Sequence, residues 1–174
     1  MAAAHAAIIV AYRLLPFPPM ILSIAIAFAL HVFFAVVWVG GMFFAYLCLR
    51  PSVADMPAAE RAALWGRVLG RFFKWVLAAV PVMLASGLWM AQAQGGIVEA
   101  DPHVHTMMAG GILMMLLFLH VYFAPYRRLR KALAAGNGEL AAKQVGTIRK
   151  LVAVNLSLGL LVIAVATAGK YLLV

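Results

Sequence analysis

From Met20 to Leu49 the chain carries no Asp, Glu, Lys or Arg; it reads as an apolar helix pattern with one imidazole, His31, set inside it. That run exceeds the roughly 20 residues a helix needs to cross the hydrocarbon of a bilayer, so it predicts a span that tilts or protrudes. A water-soluble fold is excluded as well, because 67% of the 174 residues are hydrophobic and 11% are charged, against about 25% charged in soluble domains. The fold class that follows is all-α integral membrane.

Ahead of that run, Ala6 to Tyr12 is apolar but too short to span. It lacks the basic region and small-residue cleavage site of a secretory signal, so it is expected to stay on the mature protein. Pro16-Phe17-Pro18-Pro19 breaks any helix before the first span, and Arg50-Pro51 ends it. Ser52 to Leu64 carries helix-start chemistry, with Asp55 as N-cap, Pro57 in the first turn and Glu60 beyond. Arg61, Arg67, Arg71 and Lys74, together with Trp65 and Trp75, mark an interface before the second span, which Pro81 is expected to kink. The loop 92–106 has two acids, two histidines and no Lys or Arg. A third span ends in Tyr126-Arg127-Arg128-Leu129-Arg130-Lys131, and Gly136-Asn137-Gly138 forms the turn before a fourth. The spans are expected at about 20–49, 72–92, 106–126 and 150–170, in a single membrane domain.

Charge orients the bundle. The loops after spans 1 and 3, with their flanks, hold Arg50, Arg61, Arg67, Arg71, Lys74, Arg127, Arg128, Arg130, Lys131, Lys143, Arg149 and Lys150, whereas the other side holds only Arg13 and Lys170. The positive-inside rule puts both termini and the loop 92–106 outside the cytoplasm, and short connections favour an antiparallel up-down-up-down bundle. The net charge of +9 is thus read as topology signals and anionic-lipid contacts, not as a nucleic-acid surface. Cys48 is the one cysteine, so neither an internal disulfide nor a cysteine metal cluster can form.

Two histidines lie within spans, His31 and His120, and an ionisable group at that depth is a functional-site candidate. Small and aromatic neighbours of His31, among them Ala27, Phe28, Phe34, Ala35 and Trp38, leave room for a flat macrocycle. Two neutral imidazoles on different helices suit bis-His haem ligation. By helix rise, His31 sits about 16 Å and His120 about 20 Å from the outer ends of their spans; longer span limits widen that difference and give each its own site. With His105 on broadly the same face as His120, the two also read as an outer and an inner site. The alternative for His31 is a core histidine hydrogen-bonded to a neighbouring helix.

In the loop, Glu99, Asp101, His103 and His105 suit Cu(II), Zn or Ni, the His-Val-His spacing reaching one ion from an extended segment; the alternative is a solvated polar loop. Met107, Met108, Met114 and Met115 on span 3, with Met83 and Met90 on span 2, offer thioethers for Cu(I), or simply adaptable packing. Ser86, Asn155 and Ser157 read as interhelical hydrogen bonders. Arg71, Lys74 and Arg127 are placed to meet haem propionates, though topology explains them equally. No nucleophile with a base, phosphate-cradling glycine motif or paired carboxylates occurs, so hydrolase and nucleotide-binding readings have no support.

Leu30-His31, then Val37-Trp38-Val39-Gly40-Gly41-Met42-Phe43-Phe44, Pro81 with Ser86-Gly87-Leu88-Trp89-Met90, and His120-Val121-Tyr122-Phe123 before basic residues together resemble the CopD/HemJ-like superfamily, with a looser likeness to the membrane part of PuuD-type urate oxidases. The likeness covers roughly residues 25 to 131. It implies a four-helix, multi-pass protein of the bacterial cytoplasmic (inner) membrane with the loop 92–106 periplasmic, haem b in the HemJ branch and copper handling in the CopD branch. His31 matches the first-span histidine of those families, and His120 resembles the histidine late in span 3 of HemJ. HemJ proteins carry His-x-Lys near the start of span 3, where this chain has His105-Thr106-Met107, so protoporphyrinogen oxidation loses its lysine. The expectation drawn from residues and resemblance is a haem b redox protein. His31 and His120 would be its axial ligands, Trp38 would line the cofactor site, and a quinone or periplasmic partner would exchange electrons. The alternatives are a CopD-type copper uptake or resistance protein using His103, His105 and the span 3 methionines, a HemJ-type oxidase, and a cofactor-free scaffold.

Overall fold

The computed structural model describes residues 19–172, and among them every regular element is a helix. The expectations for the apolar run 6–12, for Arg13 and for residues 16–18 fall outside the described residues. Helix α1 comprises Pro19–Phe43, a π-helical stretch Phe44–Leu49 and a last turn Arg50–Ser52. Helix α2 is Ala58–Ala93. Helix α3 runs Pro102–Val121, passes through a second π-helical stretch Tyr122–Tyr126, and ends as Arg127–Ala134. Helix α4 is Gly138–Leu172. All four are long and apolar enough to cross a membrane.

Close approaches at glycine fix the antiparallel order, since a missing Cβ lets helix backbones come together where no hydrophobic force separates protein from lipid. His31 lies against Gly87 and Phe72 against Gly41, so partners on α2 fall in number as α1 advances. The same reversal relates α3 to α4, through Gly110 with Val162 and Met114 with Gly159, and α2 to the end of α3, through Gly66 with Leu133 and Gly70 with Tyr126. The core gathers Trp38, Met42, Phe73, Val76, Met114, Phe118, Val121, Leu129 and Leu156. Phe73 sits at its centre, its ring edge-on to Phe118 at 5.4 Å and to Tyr126 at 4.9 Å.

One expectation about helix ends needs correction, that for Asp55. Helix α1 ends at Ser52, one residue past Arg50-Pro51, and α3 runs on through Pro125 and the basic residues to Ala134. Each proline follows or lies within a π-helical stretch. A proline ring clashes with the carbonyl of residue i−4, and the wider turn, in which the Arg50 N–H reaches back to Ala45 O, opens the space it needs. Asp55 is not an N-cap: Pro57 holds that position without a side-chain cap. The loop is closed instead by Arg61, whose guanidinium Nη1 donates to Ala54 O at 2.6 Å and Met56 O at 3.1 Å. Pro81 lies on the exposed face of an unbroken α2.

Candidate functional site

His31 shares a stripe of α1 with Ala27, four residues before it, and Trp38, seven after, and this stripe faces the other helices. The ring is half-buried against α2, its Nδ1 3.0 Å from Ser86 Oγ. The serine hydroxyl donates to Val82 O at 2.7 Å, so its proton is committed to the backbone and the imidazole Nδ1–H donates to Ser86 Oγ. In that neutral tautomer Nε2 keeps its lone pair. The hydrogen-bonded histidine and the ligand are therefore compatible, one on each ring nitrogen.

His120 is elsewhere. The buried face of α3 is Met114, Met115, Phe118 and Val121, and His120 lies outside it, exposed on the bundle surface alongside Leu116 and Phe123. Depth separates the two imidazoles further. Trp38 and Phe118 stack edge to face at 5.8 Å and so mark one level; His31 is seven residues to one side of it and His120 two to the other. At 1.5 Å per residue the separation along the axis is about 13 Å. One iron needs its axial nitrogens on opposite faces of a single ring, so His31 and His120 do not fit a shared haem. Trp38, 2% exposed, packs in the protein core.

The His-Val-His segment is not extended. Pro102 opens α3, and His103 and His105 both lie in its first turn, where positions two apart point to different sides. His103 packs on α4, its Cβ 2.7 Å from where a Cβ on Gly169 would stand. Glu99 and Asp101 are exposed. Among the described residues no three His, Cys, Asp or Glu side chains converge as a metal cluster.

What the bundle does bring together lies nearer the basic end. Asn155 of α4 is 5% exposed; its Nδ2 lies 3.7 Å from Met42 Sδ of α1, and its Oδ1 has no hydrogen-bond partner. One turn further from the basic end, a Cβ on Gly159 would stand 2.9 Å from Val39 and 3.0 Å from the Met114 methyl. Thioethers from α1 and α3 thus lie along one side of α4. A cavity of about 20 Å³ opens among Trp38, Met42, Phe118 and Asn155, room for about one water-sized occupant. Met42, Phe72, Phe73 and Val152 are shared between this cavity and a larger one of about 330 Å³ that continues to the basic end between α1, α2 and α4.

Sequence reasoning noted Asn155 as a hydrogen bonder but did not pair it with Met42. The available signal was spacing, since Met42 follows Trp38 by four residues and so shares its stripe.

A protein-family model described as Copper resistance protein D matches residues 66–168, which takes in most of α2, all of α3 and most of α4. No curated protein and no solved structure matches the chain.

Proposed function

The chain belongs to the Copper resistance protein D family, and from that membership we propose that it moves copper across the bacterial inner membrane, with Cu(I) as cargo. The observation that carries this reading is the Met42–Asn155 pair: a thioether sulfur and an amide oxygen without a protein partner, buried together beside a small cavity that shares Met42 with the larger one. Thioether sulfur is a ligand type that selects Cu(I). Met114, one turn away beside Gly159, supplies a second sulfur on the same side of α4.

In this reading His103, His105 and the free Nε2 of His31 receive copper at the end that faces the periplasm by the positive-inside rule. Met114 and Met42 then carry it past the packed aromatic layer. Weak, sequential ligation is what conduction requires, because a site must bind well enough to fill and loosely enough to empty.

The test compares cellular copper and growth at raised copper in a copper-sensitive bacterium carrying the wild type, Met42→Leu, Met114→Leu or an empty vector. Leucine keeps the volume and removes the sulfur, a change that usually costs less than about 1.5 kcal/mol. The expected result is a wild-type shift in cellular copper that falls to the vector level in Met42→Leu, with the variant still present in the membrane. Wild-type copper levels in Met42→Leu overturn the proposal.

A further inference from the structure

The larger cavity has a chemistry of its own. Its upper walls are Met42, Leu69, Phe72 and Val152, and toward the basic end it is lined by Arg50, Arg61 and Arg149, with no Asp or Glu anywhere on its surface. Its volume of about 330 Å³ lies at the lower end of ligand sites, about 300–1,000 Å³. Among the described residues no carboxylate pairs with any of these three arginines.

Two of the arginines are held in place by neutral groups. The Arg50 guanidinium lies over the Tyr46 ring, 5.0 Å from its centre. Arg61 gives the protons of one terminal nitrogen to Ala54 O and Met56 O, which leaves three of its five N–H donors unspent. Guanidinium forks match phosphate oxygens in pairs. Three cations, two of them held in place, at the basic end of an apolar shaft in a membrane bundle call for an anion with an apolar body.

We propose that this cavity is a binding site for one anionic phospholipid, its phosphate held by Arg50, Arg61 and Arg149 and an apolar portion running up between α1, α2 and α4. The site differs from ordinary attraction of basic loops to a charged membrane surface. It takes the lipid between helices, and it depends on these arginines rather than on the many outside the cavity. Arg127 and Arg128 are exposed on α3 and do not line it.

The experiment is native mass spectrometry of the full chain released from nanodiscs of equal phosphatidylglycerol and phosphatidylcholine. It is run for the wild type and for Arg50→Gln, Arg149→Gln, Arg128→Gln and Gly146→Phe. Gly146 lines the cavity and a Cβ there meets nothing within 4 Å, so phenylalanine fills the space without changing charge. The wild type is expected to retain one phosphatidylglycerol per chain. Retention should fall about tenfold in Arg50→Gln and Arg149→Gln, as for loss of a charge-assisted hydrogen bond, fall comparably in Gly146→Phe, and stay unchanged in Arg128→Gln. Equal retention of phosphatidylcholine overturns the proposal, as does a loss in Arg128→Gln as large as in Arg149→Gln. A thermal-shift titration with inorganic phosphate completes the test: stabilisation by phosphate alone that persists in Gly146→Phe identifies a free anion as the ligand and overturns the lipid.

Discussion

Replacing Asn155 by leucine should make the protein more stable while abolishing the proposed movement of copper. In the folded chain the amide oxygen is buried and unpartnered, and the amide nitrogen has only the weak acceptor Met42 Sδ at 3.7 Å. An unsatisfied buried polar group costs about 1–3 kcal/mol, and a thioether contact returns little of it. Leucine has the same branched skeleton as asparagine, and the adjoining cavity of about 20 Å³ takes up part of the extra volume of its methyl groups. The expected net gain is about 1–2 kcal/mol, and for a chain of this length each kcal/mol raises the melting temperature by about 2–4 °C. Thermal unfolding in mild detergent, without added metal, reads the first half; cellular copper reads the second. A fall in melting temperature would refute the reasoning, because it would mean that the oxygen is already satisfied in the folded protein. A stabilised variant with wild-type copper levels would remove this pair from the route.

Ser86→Ala takes the acceptor from the His31 Nδ1–H and is expected to lower stability by about 0.6–1.7 kcal/mol, the range for hydrogen bonds between membrane helices, read as a lower melting temperature. Gly41→Ala sets a Cβ against the Phe72 ring, whereas at Gly40 a Cβ meets nothing within 4 Å. Gly41→Ala should therefore cost about 1–3 kcal/mol by overpacking and Gly40→Ala should not; equal effects in the two would contradict the packing of α1 on α2. His120→Ala, on the exposed face, should change stability by no more than about 0.5 kcal/mol and leave both the visible absorption spectrum and cellular copper as in the wild type. A reduced-minus-oxidised difference spectrum lost in that variant would restore His120 as an iron ligand.

Four spans, their order and the basic loops were legible in the sequence because hydrophobic length and Lys/Arg placement report directly on the bilayer. The orientation of His120 was not. Span 3 is apolar around its whole circumference, so its pattern cannot tell a face toward lipid from a face toward the core; only the packing of Phe118 on Trp38 and Phe73 fixes the rotation. His31 could be placed because Ala27 and Trp38 share its stripe. The Ser86 partner followed from a polar side chain in an apolar helix, but not which helix it would meet. The π-helical stretches beside Pro51 and around Pro125 were not legible, because they depend on no residue type that signals them. His103 and His105 were read as loop because Pro102 was not taken as the first residue of a helix, where proline is in fact favoured.

The two cavities are built from residues far apart in the chain. Tyr46, Arg50 and Met42 come from the first helix, while Arg149, Val152 and Asn155 come from the last. During synthesis, α1, α2 and α3 are all made before any of the α4 wall exists, so neither compartment can form until the final span has been inserted. Until then Met42 and the apolar wall of α2 face lipid or the translocation machinery rather than a ligand. A chain cut short before residue 138 would be a three-helix protein with no closed compartment to fill. The two cavities are thereby a signature of completed biogenesis: any ligand that needs both walls can be held only by chains that have been translated and inserted through to the fourth helix.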